Sequence, residues 1–127
     1  MEQLNSRTAV GHQVIMPYLI IENAAAFIQF AQDVFNMKLQ TLVPRSEGVI
    51  MHAELQCEGS TIMLADATED FKPQPSGMFI YVNNADAIYQ KALKQGATSI
   101  MEPSDQNYGR AAGVKDAWGN TWWITSL

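Results

Sequence analysis

His52 and Glu54 stand two positions apart in the stretch GVIMHAELQCEGSTIMLAD, residues 48–66, among apolar neighbours. Imidazole changes charge near neutral pH, and a carboxylate beside it completes an acid–base pair. The same two groups are also ordinary metal ligands. The stretch alternates as a strand does, so the two share a face about 6.5 Å apart. Burying either without a partner costs roughly several kcal/mol. Three roles fit: a solvated or mutually satisfied pair at a rim, a ligand-binding or acid–base pair, and two ligands of a metal site with no evident third.

The elements that position this pair come in duplicate. Residues 48–66 read as a hairpin around Glu58-Gly59-Ser60. Met51, Ala53 and Leu55 form a face fit to pack under a helix, and Ile50, His52, Glu54 and Gln56 form the other. Upstream, YLIIENAAAFIQFAQ from Tyr18 matches FIYVNNADAIYQKAL from Phe79 at an offset of 61 residues. Each is a short apolar strand, an Asn and an amphipathic helix, with Asn23 and Asn84 as N-caps and Asn36 and Gly96 as helix ends. Short strands follow at 39–43 and 98–101, before Pro44 and Pro103. A second hairpin, GRAAGVKDAWGNTWWITS, covers 109–126, with Gly119, Thr121 and Trp123 in the places of Gly59, Thr61 and Met63. The pattern is β-α-β-β-β twice. It predicts a tail over 1–12 and a single domain over 13–127: module one about 13–66, a Pro-rich linker 67–76, and module two about 77–126.

Composition narrows the function classes. The chain has 127 residues, 47% of them hydrophobic, enough for one domain with a substantial core. The net charge is −5 and no Lys/Arg cluster exists, which argues against nucleic acid and anionic membrane surfaces as partners. No apolar run approaches the ~20 residues of a membrane helix, and MEQLNSRTAVGHQ lacks a signal-peptide plan. The one cysteine, Cys57, excludes an internal disulfide and fits a cytoplasmic, reducing environment.

The stretches VIMPYLIIENAAAFIQFAQDVFNMK, MHAELQCEGSTIMLAD and GVKDAWGNTWWI, with the paired modules, resemble the vicinal oxygen chelate superfamily of glyoxalases, bleomycin-resistance proteins and extradiol dioxygenases, most of all its PhnB-like branch. The resemblance spans residues 13–126 and implies an α+β fold whose two curled mixed sheets form a cup, with helices outside and often a homodimer. Metal-using members similar to glyoxalase I carry one His or Glu ligand on each of four strands. Carried onto this chain, those positions fall on Met16, Met63, Gly77 and Trp123, which form no usual ligand set. No metal and no cofactor is therefore expected.

If those positions face the cup, alternation lines it with Met16, Tyr18, Thr61, Met63, Ala65, Phe79, Tyr81, Thr121, Trp123 and Thr125. Such a wall suits a small aromatic or amphiphilic molecule. The expected ligand-binding residues are Tyr18, His52, Glu54, Met63, Phe79, Tyr81, Arg110 and Trp123, Arg110 as a holder of an anionic group. Trp118 is expected to cover a cup mouth or a neighbouring subunit. Two rival readings are a superfamily lyase, isomerase or dioxygenase using His52 and Glu54 as catalytic residues, and a dimeric interaction module with filled cups.

Overall fold

Two asparagines start the two helices. Asn23 Oδ1 accepts the Ala26 amide at 3.4 Å and Asn84 Oδ1 accepts the Ala87 amide at 3.1 Å, satisfying donors that a first helical turn leaves free. The helices are α1 (Ala24–Phe35) and α2 (Ala85–Lys94). In the computed structural model, which describes residues 7–127, they alternate with eight strands. Module one holds β1 (Tyr18–Ile21), β2 (Lys38–Ser46), β3 (Val49–Cys57) and β4 (Ser60–Asp66). Module two holds β5 (Gly77–Tyr81), β6 (Thr98–Gln106), β7 (Gly109–Lys115) and β8 (Thr121–Ser126). Residues 1–6 of the expected tail lie outside the described residues.

The architecture is α+β, with two four-stranded mixed sheets ordered β1-β4-β3-β2 and β5-β8-β7-β6. In each, the first strand runs parallel to the last and the other pairs are antiparallel. The equivalence reaches single atoms. Asp66, ending β4, accepts the Ala24 amide at 2.8 Å, and Ser126, ending β8, accepts the Ala85 amide at 3.2 Å, so each last strand holds the start of its own helix. The β3–β4 turn is a two-residue loop with φ of 46° at Glu58 and 88° at Gly59, matched to the twist of a hairpin.

Both sheets share one core. Leu19, Ile21, Ala53, Leu55 and Leu64 of the first sheet and Ala112, Val114, Trp122 and Ile124 of the second belong to a single buried cluster with α1 and α2. α1 buries seven residues and α2 three, because α1 also packs on the other module's sheet. The Trp122 ring lies 4.4 Å from Phe35 and 6.5 Å from Phe27, centroid to centroid. Trp118 packs inward as well, 5.2 Å from Phe27 and 5.5 Å from Phe30, so it covers α1 within its own chain rather than a cup mouth.

Two local expectations are corrected. β2 and β6 do not stop before Pro44 and Pro103 but run through them. They are the outer strands of their sheets, where a missing amide breaks no obligatory ladder, and the pairing shifts register at both places. The shift at Val43 and Pro44 also turns β3 over at its start. Ile50 is in the core at 7% exposure and Met51 is 43% exposed, the reverse of simple alternation.

Asp116, at the start of the β7–β8 turn, anchors module two's side of the shared core. Its buried carboxylate accepts the Trp118 and Asn120 amides, the Asn120 side-chain amide, and the Trp122 indole N–H at 2.8 Å. Asp116→Ala leaves these donors unpaired and should destabilise the fold by roughly 2–4 kcal/mol. Urea unfolding checks this; a loss under about 1 kcal/mol would mean that the turn forms without its carboxylate.

Candidate functional site

The faces of the two sheets turned away from the core carry most of the chemistry. β-pairing sets Tyr18 beside Met63 and Met63 beside Glu54, a row across β1, β4 and β3. The equivalent row in module two is Phe79, Trp123 and Gly113, across β5, β8 and β7. The sequence repeat thus holds at the level of the site, but the chemistry diverges. Where module one has Glu54, module two has a glycine. A Cβ built on Gly113 would stand 2.6 Å from Trp123 Cζ3, so the missing side chain is what lets the indole lie down on β7.

Module one's face is polar and fully bonded. Glu54 is 7% exposed, and its two oxygens are shared among three donors. His52 Nε2 donates to Oε2 at 2.8 Å, His12 Nε2 to Oε1 at 2.9 Å, and Gln40 Nε2 to Oε1 at 3.2 Å. His52 Nδ1 is 3.0 Å from the Tyr18 hydroxyl. Gln40 Nε2 also reaches Thr61 Oγ1 at 3.2 Å, and the Thr61 hydroxyl donates to the Gly11 carbonyl. The Gln13 side-chain amide pairs with the Thr61 backbone as a neighbouring strand would, at 2.9 and 3.1 Å. The His52 donor, opposed by burial, and then the His12 and Gln40 donors hold the Glu54 carboxyl down at about 2.

Module two's face is aromatic and open. Phe79 and Tyr81 meet edge to face at 5.2 Å, and Tyr108 lies 6.4 Å from Phe79. Phe79, Tyr81 and Tyr108 are each more than half exposed, and Trp123 is 38% exposed. A groove of about 620 Å³ follows the edge of β5 and brings Phe79 and Tyr81 near Thr61, Gln13 and Cys57. It does not include Tyr18, His52, Glu54 or Trp123. Burial, then the charge of Glu58, pushes the Cys57 thiol up, away from the thiolate form a nucleophile needs.

Of the residues singled out in the sequence, Tyr18, His52, Glu54 and Met63 meet on one face, and Phe79, Tyr81 and Trp123 on the other. Arg110 joins neither. It pairs across to Ser126 on the helix side of its sheet. There it holds Asp86 of α2 in a two-point contact at 3.0 Å and Asp105 at 3.3 Å, so its charge is committed to the helix start rather than to a cup ligand. His12, Gln13 and Gln40 were missed. The sequence reading puts His12 in the tail, although it is one of only two histidines in the chain, the other being His52; its return to Glu54 is a long-range contact without local periodicity.

The residues to which the resemblance carries the family's four metal ligands, Met16, Met63, Gly77 and Trp123, form a donor set that does not fit a divalent metal. Among the described residues, no group of three or more His, Cys, Asp and Glu side chains converges to hold one elsewhere.

The depressed Glu54 carboxyl has a signed consequence. Its stabilisation is full above the unfolded value near 4.5 and is lost as pH falls toward about 2. Glu54→Gln should destabilise the fold by about 1.5–3 kcal/mol at pH 7, and the difference should vanish toward pH 2. Denaturation of both proteins across this range measures it; a pH-independent difference would contradict the charged network.

A family model described as Glyoxalase/Bleomycin resistance protein/Dioxygenase superfamily matches residues 10–124. An uncharacterised Mycobacterium bovis protein is 31% identical over 120 residues, covering 85% of this chain and 79% of that protein. Among solved structures, a PhnB protein from Bacillus cereus superposes with a TM-score of 0.74 at 18% identity, over 91% of this chain and 100% of that one. An antibiotic binding protein from a Streptomyces species superposes with a TM-score of 0.69 at 17% identity, over 91% and 98%. Among the described residues no helix is long and apolar enough to cross a membrane. With its doubled β-α-β-β-β plan and a family match over nearly its whole length, the chain belongs to the glyoxalase/bleomycin resistance protein/dioxygenase superfamily.

Proposed function

We propose that this protein is a cytoplasmic homodimer that binds small aromatic or amphiphilic molecules in cups built between two copies, without the family's usual metal. One observation carries the reading: both sheets turn their core faces to the same helices, which leaves the polar face of module one and the aromatic face of module two outside the shared core. Each is half of a ligand wall. Rings as exposed as Phe79, Tyr81 and Tyr108 are a surface that association or a ligand would cover. A second copy would set module two of one chain across from module one of the other. The resulting cup has flat apolar rings on one side and a hydrogen-bonding edge on the other. Stacking and apolar burial would supply most of the affinity, at about 25 cal/mol per Å² before association costs. The fold shared with an antibiotic binding protein is consistent with such a role. The free Cys57 thiol suits a reducing compartment. The donor set at the family's metal positions supports binding without a metal, so chelator should leave the melting temperature unchanged.

Binding, subunit exchange and sedimentation test the assembly and the cup together. Trp123→Ala should weaken binding of a planar aromatic compound by more than about 1 kcal/mol, the mark of an aromatic anchor. Chains carrying Tyr18→Ala alone or Trp123→Ala alone should each bind poorly. Mixed and allowed to exchange, they should regain binding, because a mixed dimer puts both substitutions in one cup and leaves the other intact. Absence of recovery in a proven mixed dimer would place both walls within one chain, and a monomer in sedimentation would remove the shared cup.

A further inference from the structure

Tyr18, His52, Glu54 and His12 are bonded in series, from a half-exposed phenol to a buried carboxylate. The protons in this chain can be assigned. Ionised, Glu54 only accepts, so the imidazole nitrogens 2.8 and 2.9 Å from it both carry hydrogen. In neutral His52, with Nε2 protonated, Nδ1 is then a lone pair. The Tyr18 hydroxyl, 3.0 Å away, must donate to it. With His52 neutral, the one proton of Tyr18 points inward and its oxygen turns lone pairs toward the open face. Such a group accepts a hydrogen bond from a ligand, and a base stands directly behind it.

We infer that the Tyr18–His52–Glu54 series is a proton-accepting site for aromatic ligands that carry a weakly acidic hydroxyl, which it binds as their oxyanions. This rests on the cup described above as the place where such a ligand sits. The transfer balances without a further reactant. The ligand O–H bond breaks and its proton passes to the Tyr18 oxygen as the Tyr18 proton passes to His52 Nδ1. The electron pair stays on the ligand oxygen. The phenolate is then held by the Tyr18 O–H, and the new imidazolium lies 2.8 Å from the Glu54 carboxylate.

The surroundings favour moving a proton over meeting a ready-made anion. Titratable groups reach the series from the segment before β1 (His12), from β1 (Tyr18) and from β3 (His52 and Glu54). The contributions of β2 and β4, Gln40 and Thr61, carry no charge. No Lys or Arg bonds to the series among the described residues, and Arg110 is held by Asp86 in the other module. A permanently anionic ligand would meet the negative Glu54 with no fixed cation to offset it. A neutral phenol supplies the proton that makes His52 cationic.

The test uses the full chain with 4-nitrophenol, whose anion absorbs visible light, 4-nitroanisole, which lacks the hydroxyl, and 4-nitrobenzoate, which is already an anion. Calorimetry measures binding and absorbance reports the phenolate, in buffer roughly one unit below the pKa of the free phenol. The expected result is that nitrophenol binds as phenolate, its apparent pKa lowered by about one unit or more, that nitroanisole binds without a spectral change, and that nitrobenzoate binds most weakly. Tyr18→Phe keeps the ring and should abolish the pKa shift while nitroanisole still binds; His52→Gln should do the same. Nitrophenol bound without ionising, or ionised equally well by both variants, would overturn the inference and leave the cup standing. Failure of nitrophenol and nitroanisole alike to bind would overturn the cup and this inference with it.

Discussion

The packing of α1 between the two sheets is the constraint from which the rest follows. A sheet has two faces, and within one chain α1 and α2 can cover only one face of each. Phe27 and Phe35 reach across to Trp122 and bind the modules through their helix sides. The indole is held in place by the Asp116 carboxylate, which also closes the β7–β8 turn. Once that contact is made, Tyr18, His52 and Glu54 on one sheet and Phe79, Tyr81 and Trp123 on the other are left outside the core. The shared core and the side chains left outside it therefore occupy opposite faces of the same strands.

The two modules show how a duplicated scaffold divides its labour. Register places Glu54 and Gly113 at the same point, beside Met63 and Trp123. A carboxylate there needs donors, and module one supplies them from β2, β3 and the segment before β1. A glycine there needs nothing, and an indole takes the space. One face becomes a bonded polar network and the other an aromatic floor. Burial of Glu54 is tolerable because every oxygen has a donor; taking any donor away leaves a desolvated charge short of a partner.

Much of this was legible in the chain. Helix starts at Asn23 and Asn84, the tight turn at Glu58 and Gly59, and the doubling of the β-α-β-β-β plan are local properties, set by caps, turns and period within a few residues. Alternation also placed His52 with Glu54 and Phe79 with Tyr81, since neighbours two apart on a strand must share a face. Where a strand departs from regularity the same reasoning failed, as at Ile50 and Met51, because a bulge reverses the alternation and its origin lies in the partner strand.

The sequence by itself determined the elements, the two-module order, and which side chains line up along each strand, because these depend on backbone preferences and short spacings. Only the tertiary structure decided which groups meet across the chain. His12 reaches Glu54 over 42 positions, and Arg110 turns to Asp86 over 24. No periodicity encodes such contacts; they follow from how whole sheets and helices pack. The side of the sheets on which the modules join was settled in the same way. That depended on the fit of Phe27 and Phe35 against Trp122, a matter of shape that residue types alone do not specify.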